Sequence, residues 1–133
     1  YHTQLLRSDG EVWLVDLDTL CRGHPELDIA TYFAHAMLDA ALNKGLSSAM
    51  GDGLGDFLER YRCSGGVLET HRLTWYLSCA LARLGSLHLA RGVDRSIIAQ
   101  LWHVAEALAA DPHAALAALM ARNPIRAPCE GSA

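Results

Sequence analysis

Strand-forming sequence is confined to the first fifteen residues, and this restricts what the chain can fold into. Two short segments with strand character, 4–7 and 12–15, flank Ser8, Asp9 and Gly10. Gly10 supplies positive φ where a tight turn needs it, so the segment predicts a β-hairpin. A single hairpin cannot form a core by itself. We therefore expect the rest of the chain to supply the core as helices.

A first helix is predicted to begin at Pro25, since proline is favoured at the first helical position. Glu26 and Asp28 place negative charge near the positive end of this helix. Gly45 is expected to end it. Its apolar residues follow helical spacing: Leu27, Ala30, Phe33, Met37 and Ala41.

The later helices are separated by breaks rich in glycine or aspartate. We predict a loop over 50–55, a short helix over 56–61 and a break at 64–66. Two long helices follow, the first ending near Gly92 and the second beginning at the N-cap Asp94, and a last helix runs from Asp111-Pro112 to Met120. Their apolar stripes are Leu73, Leu77, Ala80, Leu84 and Leu87, then Ile97, Leu101, Val104 and Leu108.

The predicted organisation is one domain of 133 residues. It divides into a hairpin with its following loop (1–24), a helical subdomain (25–122) and a tail (123–133). The fold class is mainly α with one N-terminal β-hairpin.

Charge and composition exclude several classes of partner. The net charge of −4 and the scattered arginines give no basic surface for nucleic acid or an anionic membrane. No apolar run is long enough for a membrane span, and residues 1–7 lack the pattern of a signal peptide.

The four cysteines are widely spaced without a CxxC pair, which favours a reduced protein in the cytoplasm.

The candidate chemistry lies at the open end of the hairpin. Gln4 starts the first predicted strand and Asp16 follows the second. Antiparallel pairing brings these two positions close together. A carboxylate and an amide oxygen side by side form the kind of hard-oxygen site that Mg²⁺ accepts, with phosphates and water completing the shell.

Residues 1–30, YHTQLLRSDGEVWLVDLDTLCRGHPELDIA, resemble the middle of the aminoglycoside phosphotransferase and choline kinase family. In that family a catalytic loop H-x-D-x-x-x-x-N precedes a hairpin, an I-D-x-[DEG] metal motif and a helix start G-x-P-x-x-D-[LI]-A. Gln4 stands where the loop ends in Asn, and Asp16 stands at the metal-binding Asp. The helix start is matched by Gly23, Pro25, Asp28, Ile29 and Ala30.

This resemblance implies the helical C-terminal lobe of a protein-kinase-like fold. It also implies an ATP-dependent kinase that transfers a phosphoryl group to a hydroxyl of an aminoglycoside, sugar or amino alcohol, with Mg²⁺ as cofactor. The catalytic Asp falls before Tyr1, and so does the N-terminal lobe that supplies the other ATP contacts. Because phosphoryl transfer needs groups from both lobes, we expect this chain not to catalyse alone.

Each candidate residue also has a simpler interpretation. Asp16 could hydrogen-bond a turn, and Gln4 could satisfy backbone groups. Asp18 either binds a second Mg²⁺ or shapes the loop. Asp28 caps helix amides and, by the resemblance, supports the site. His2 either contacts substrate or phosphate, or is an ordinary surface histidine.

Two functions outside catalysis are also compatible with the sequence. The chain could be a non-catalytic helical module derived from a kinase lobe, which binds a partner or self-associates through exposed apolar surface. A plain helical regulatory domain ranks last, because it does not account for the first thirty residues.

Overall fold

The computed structural model describes residues 4–18, 21–43 and 51–120. Within these residues the chain is mainly helical with one antiparallel hairpin, as predicted. Five helices occur in the described part: α1 (Pro25–Asn43), α2 (Gly51–Cys63), α3 (Thr70–Ala90), α4 (Arg95–Ala110) and α5 (Pro112–Met120). The tail predicted over 123–133 lies outside it.

The hairpin pairs β1 (Leu5–Ser8) with β2 (Glu11–Leu14), and Ser8 faces Glu11 across the turn. Asp9 has φ of 51° and Gly10 has φ of 83°. Positive φ at both central residues identifies a type I′ turn, whose twist matches that of the flanking strands. Asp and Gly tolerate this conformation better than other residues, so the local sequence accounts for the turn.

Helix α2 differs from its prediction. The glycine-rich stretch expected as a loop is helical from Gly51, so the helix starts about one turn before Asp56. Burial of Leu54 and Leu58 accounts for the difference, because both leucines face the core. Tertiary packing here outweighs the low helix propensity of glycine.

Helix ends in the described chain follow the local sequence closely. Helices α2 and α3 are each followed, two residues after their last helical residue, by a glycine with positive φ, Gly65 and Gly92. In both helices, the backbone N–H two positions after the C-cap residue donates a hydrogen bond to a carbonyl of the last turn. Gly66 N–H donates to Tyr61 O, and Val93 N–H donates to His88 O. The carboxylate of Asp94 caps α4, and that of Asp111 caps α5. These caps confirm the predicted boundaries at Gly92, Asp94 and Asp111.

Helix α3 lies at the centre of the bundle and packs mainly against α4 and α1. Its leucines at 73, 77 and 84 are buried, as predicted, together with Leu81. The α3–α4 contact is close: the Trp102 side chain lies against Gly85, where a β-carbon would collide with it. In addition, the Ser78 hydroxyl donates to the buried carbonyl of Ala105 over 2.8 Å.

Two positions of the predicted apolar stripes remain partly exposed, namely Leu27 in α1 (46%) and Leu87 in α3 (37%). Helical spacing shows that residues share a face but does not show how wide the covered part of that face is. The chain packs the faces centred on Phe33 and Leu81 instead.

Among the cysteines, Cys21 and Cys79 carry free thiols. Cys63 is disulfide-bonded, so the expectation of a wholly reduced chain does not hold at this position. In the described chain, no helix combines the length and the apolar character that crossing a membrane requires.

Truncation of Leu81 to alanine tests the position of the core. Leu81 is 0% exposed, and Leu89 of the same helix is 38% exposed. We expect Leu81→Ala to lower the free energy of unfolding by about 2–5 kcal/mol, because it removes buried methyl groups and leaves a cavity. Leu89→Ala should cost about 1 kcal/mol or less. Urea denaturation followed by circular dichroism measures both, and equal losses would contradict this packing.

Candidate functional site

Gln4 and Asp16 are brought together by the hairpin, as the sequence predicts. The backbone N–H of Val15 donates to Gln4 O over 2.9 Å and extends the ladder past the end of the strands. The Gln4 side chain then donates from Nε2 to Asp16 Oδ2 over 3.1 Å and to the Asp16 carbonyl oxygen over 3.4 Å. The amide nitrogen, rather than the amide oxygen, therefore faces the carboxylate.

Asp16 has a left-handed backbone conformation, with φ of 62°. Residues other than glycine adopt this conformation at a cost, although Asp and Asn tolerate it better than most. Such conformations cluster at functional sites, where the surrounding structure maintains them. Here the conformation turns the chain out of the strand immediately after Val15 and leaves the Asp16 side chain exposed beside Gln4.

The structure places the other predicted site residues as follows. Asp18 is exposed in the turn after Asp16, and its role as a second ligand or a loop-shaping residue stays a prediction. Asp28 is exposed in the first turn of α1, and its proposed support of the site also stays a prediction. His2 lies outside the described residues.

A residue that sequence analysis treated only as helix-end charge, Glu26, proves to be buried. Its side chain is 2% exposed in the first turn of α1. Oε1 accepts the backbone N–H of Glu69 over 2.8 Å and lies 3.6 Å from Nη1 of Arg72. Glu69 in turn caps α3, since its carboxylate accepts the amides of His71 and Arg72. The Glu26 carboxylate thus links the first turn of α1 to the N-cap residue of α3.

Competing effects act on the pKa of Glu26. Burial would raise the pKa, but the amide of Glu69, its own amide and the positive charge of Arg72 outweigh burial, so the pKa lies below the ordinary value of 4.5. Oε2 is buried and makes no hydrogen bond within the described chain. The charged form is therefore maintained by one well-bonded oxygen and a nearby guanidinium.

The same arginine anchors the loop that follows Asp16. Arg72 Nη1 lies 3.2 Å from Nδ1 of His24. Arginine has only donors, so Nδ1 of His24 accepts this hydrogen bond. The His24 ring also lies near that of Tyr76, with centroids 6.4 Å apart. Contacts with α3 therefore hold the residue at which the loop enters α1.

An aromatic cavity of about 180 Å³ lies between α1 and α2. Phe33 meets both Tyr32 and Phe57 edge to face, with ring centroids 5.4 Å apart in each pair. Met37 and Leu54 complete its apolar wall. A larger open groove of about 840 Å³ lies at the α3–α4 turn, beside Trp102.

No protein-family model, curated protein or solved structure matches this chain. The resemblance of residues 1–30 to the phosphotransferases thus has no support from these comparisons.

Glu26→Gln tests the electrostatic role of the buried carboxylate. A folded-state pKa below 4.5 means that ionised Glu26 stabilises the fold above about pH 4.5, and that this contribution is lost as the pH falls through the folded-state pKa. We expect the variant to be less stable than wild type by about 1–3 kcal/mol at pH 7, and the difference to shrink below pH 4. Thermal unfolding across pH 3–7 measures it.

Glu106→Gln, on the exposed face of α4, is the matched control and should be nearly neutral at every pH. If the stability difference between Glu26→Gln and wild type stays constant down to pH 3, the shape of the side chain, and not its charge, matters at this position.

Proposed function

We propose that this chain is the helical C-terminal lobe of a small-molecule kinase, in which Asp16 and Gln4 hold Mg²⁺ on the phosphates of ATP. The phosphoryl acceptor is a hydroxyl of a small molecule such as an aminoglycoside, sugar or amino alcohol. The observation that carries the proposal is the pairing of Gln4 with Asp16 at the open end of the hairpin. This pairing is the arrangement that the family resemblance requires, and it follows from the strand register.

The residues at this position fit Mg²⁺ in kind and number. Mg²⁺ keeps several waters and uses one or two protein oxygens together with substrate phosphates. The described residues contain no cluster of three or more His, Cys, Asp or Glu side chains that could enclose a metal. A half-site made of one carboxylate and one amide suits an ion that arrives with the nucleotide.

Binding the cation requires a small change at Gln4. Without a cation, Nε2 donates to the carboxylate of Asp16. A half-turn of the amide group exchanges its nitrogen and oxygen and brings Oε1 beside Asp16. Two oxygens placed together repel each other unless a cation lies between them. We therefore expect the amide to reverse when the metal binds.

Transfer of the phosphoryl group needs more than this half-site. By the resemblance, an Asp located before Tyr1 orients the acceptor hydroxyl, and an N-terminal lobe covers the phosphates. Most of the catalytic effect in this reaction comes from positioning and charge stabilisation by groups of both lobes. The chain alone should bind Mg²⁺-nucleotide weakly and show no turnover.

Asp16→Asn tests the proposed metal site with little change to the backbone, because Asn also tolerates positive φ. Calorimetry of wild type should detect weak ATP binding that requires Mg²⁺. We expect the variant to bind at least about tenfold more weakly, because it lacks the anionic ligand.

Asp9→Asn is the matched control, since Asp9 is another exposed hairpin carboxylate with positive φ. It should bind as wild type does. Equal losses in both variants would assign the effect to general charge on the hairpin. Binding that persists in Asp16→Asn would remove Asp16 from the site.

A second function, self-association without catalysis, is favoured by the apolar surface of the hairpin. Val12 is 67% exposed and Trp13 is 57% exposed. Leu6 and Leu14 are also more than half exposed, and the strands make at most isolated contacts with the described helices. Exposed apolar surface of this kind marks interaction sites. In a complete kinase the N-terminal lobe would cover it, and otherwise a second copy could.

Trp13→Ser distinguishes these possibilities by sedimentation across a concentration series. If the chain self-associates through the hairpin, the variant should weaken association at least about tenfold, because buried tryptophans dominate interface energies. Trp75→Ser, at another exposed tryptophan on α3, should leave association unchanged. A wild-type chain that stays monomeric throughout would exclude the self-association function.

A further inference from the structure

We propose that His71 and His113 form a binding site for a divalent transition-metal ion that joins α3 to α5. His71 is the second residue of α3 and His113 is the second residue of α5. Both side chains are exposed, so an ion can reach them from solvent. The proposal is independent of the phosphotransferase function.

The two imidazoles have the separation that metal ligation needs. Their Nε2 atoms are 3.3 Å apart, and their rings meet at 88° with centroids 4.8 Å apart. With metal–nitrogen bonds of about 2.0–2.1 Å, two nitrogens of a tetrahedral site are about 3.3–3.4 Å apart. The observed separation of the two Nε2 atoms therefore matches that of two nitrogen ligands of one tetrahedral ion.

Without a metal, the same separation corresponds to a hydrogen bond that imposes unlike tautomers. One Nε2 must carry a proton and the other must accept it. With a metal, both Nε2 atoms offer lone pairs and both protons lie on Nδ1. The pair can therefore change from a hydrogen bond to a chelate by moving one proton within one ring through solvent.

Capping carboxylates offset the helix dipoles at this pair of histidines. Both histidines lie in first turns, where the helix dipole is positive and opposes a cation. Each of these turns is capped by an acid two residues earlier, Glu69 before His71 and Asp111 before His113. The Glu69 carboxylate accepts the amides of His71 and Arg72, and the Asp111 carboxylate accepts the amide of Ala114. The two capping carboxylates thus offset the positive helix ends.

The ligand set selects the class of ion. Two imidazoles suit Zn²⁺, Ni²⁺ and Cu²⁺ rather than Mg²⁺ or Ca²⁺, which prefer oxygen. No third His, Cys, Asp or Glu joins the pair among the described residues, so water would fill the remaining positions. Such a site binds less tightly than a structural zinc site with four protein ligands.

Calorimetric titration with ZnCl₂ at slightly alkaline pH tests the proposal, because metal ligands must be deprotonated. The accessible thiols of Cys21 and Cys79 should first be blocked with iodoacetamide so that they do not compete. We expect one Zn²⁺ per chain with an affinity in the micromolar range. Zn²⁺ should also raise the melting temperature, since it binds only where α3 and α5 are docked.

His71→Asn and His113→Asn should each weaken Zn²⁺ binding at least about tenfold, because even partners outside the ligand set change metal affinity by 10–100-fold. Each should also abolish the rise in melting temperature. His103→Asn, at an exposed histidine of α4, is the control and should retain both effects. Circular dichroism verifies that all three variants fold. Zn²⁺ binding that is absent in wild type, or unchanged in either pair variant, would overturn the proposal.

Discussion

The buried carboxylate of Glu26 is the interaction on which the docking of α1 against α3 depends. It accepts the amide of Glu69 and lies beside Arg72, so it fixes the start of α1 against the start of α3. Arg72 also contacts His24, the last residue of the loop that leaves the hairpin. Glu26 is the buried member of this ion pair, whereas the Arg72 side chain is 40% exposed. Removing the partners of Glu26 would leave a buried charge uncompensated, which is costly. The entry of the chain into the helical bundle is therefore specified by a small polar network, whereas the rest of the bundle is held mainly by apolar packing.

The candidate metal site, in contrast, is formed by the hairpin and not by the helical core. Gln4 and Asp16 are positioned by strand register and by one unusual backbone conformation, without help from the core. The hairpin packs little against the described helices, so this geometry depends on strand pairing alone. In a kinase lobe the separation of the hairpin from the helical core would be useful. The nucleotide binds between the two lobes, so the side chains that bind its metal ion must be accessible from outside the helical core. The same exposure would serve self-association, which is why the two functions need separate tests.

Local chemistry determined which features could be predicted from the sequence. The Asp-Gly turn, the glycine helix ends and the aspartate caps were predictable because each depends on residues a few positions apart. The apposition of Gln4 and Asp16 followed from strand pairing, but the direction of the amide did not. The burial of Glu26 could not be predicted, because its main partner is 43 residues away. The early start of α2 was also missed, since packing of Leu54 outweighs glycine propensity.

The weak attachment of the hairpin has a thermodynamic consequence for any ligand of Asp16. A two-stranded hairpin that packs little against the described helices is expected to be only marginally stable in water, with its strands in equilibrium between paired and unpaired states. A ligand that needs Gln4 beside Asp16 binds only the paired fraction, and its apparent affinity falls in proportion. Covering the apolar faces of Val12 and Trp13 would enlarge that fraction. A partner that covers these side chains without touching the cation would therefore raise the apparent affinity of the site for the cation. Partner docking and cation affinity would then be linked through the pairing of the eight strand residues.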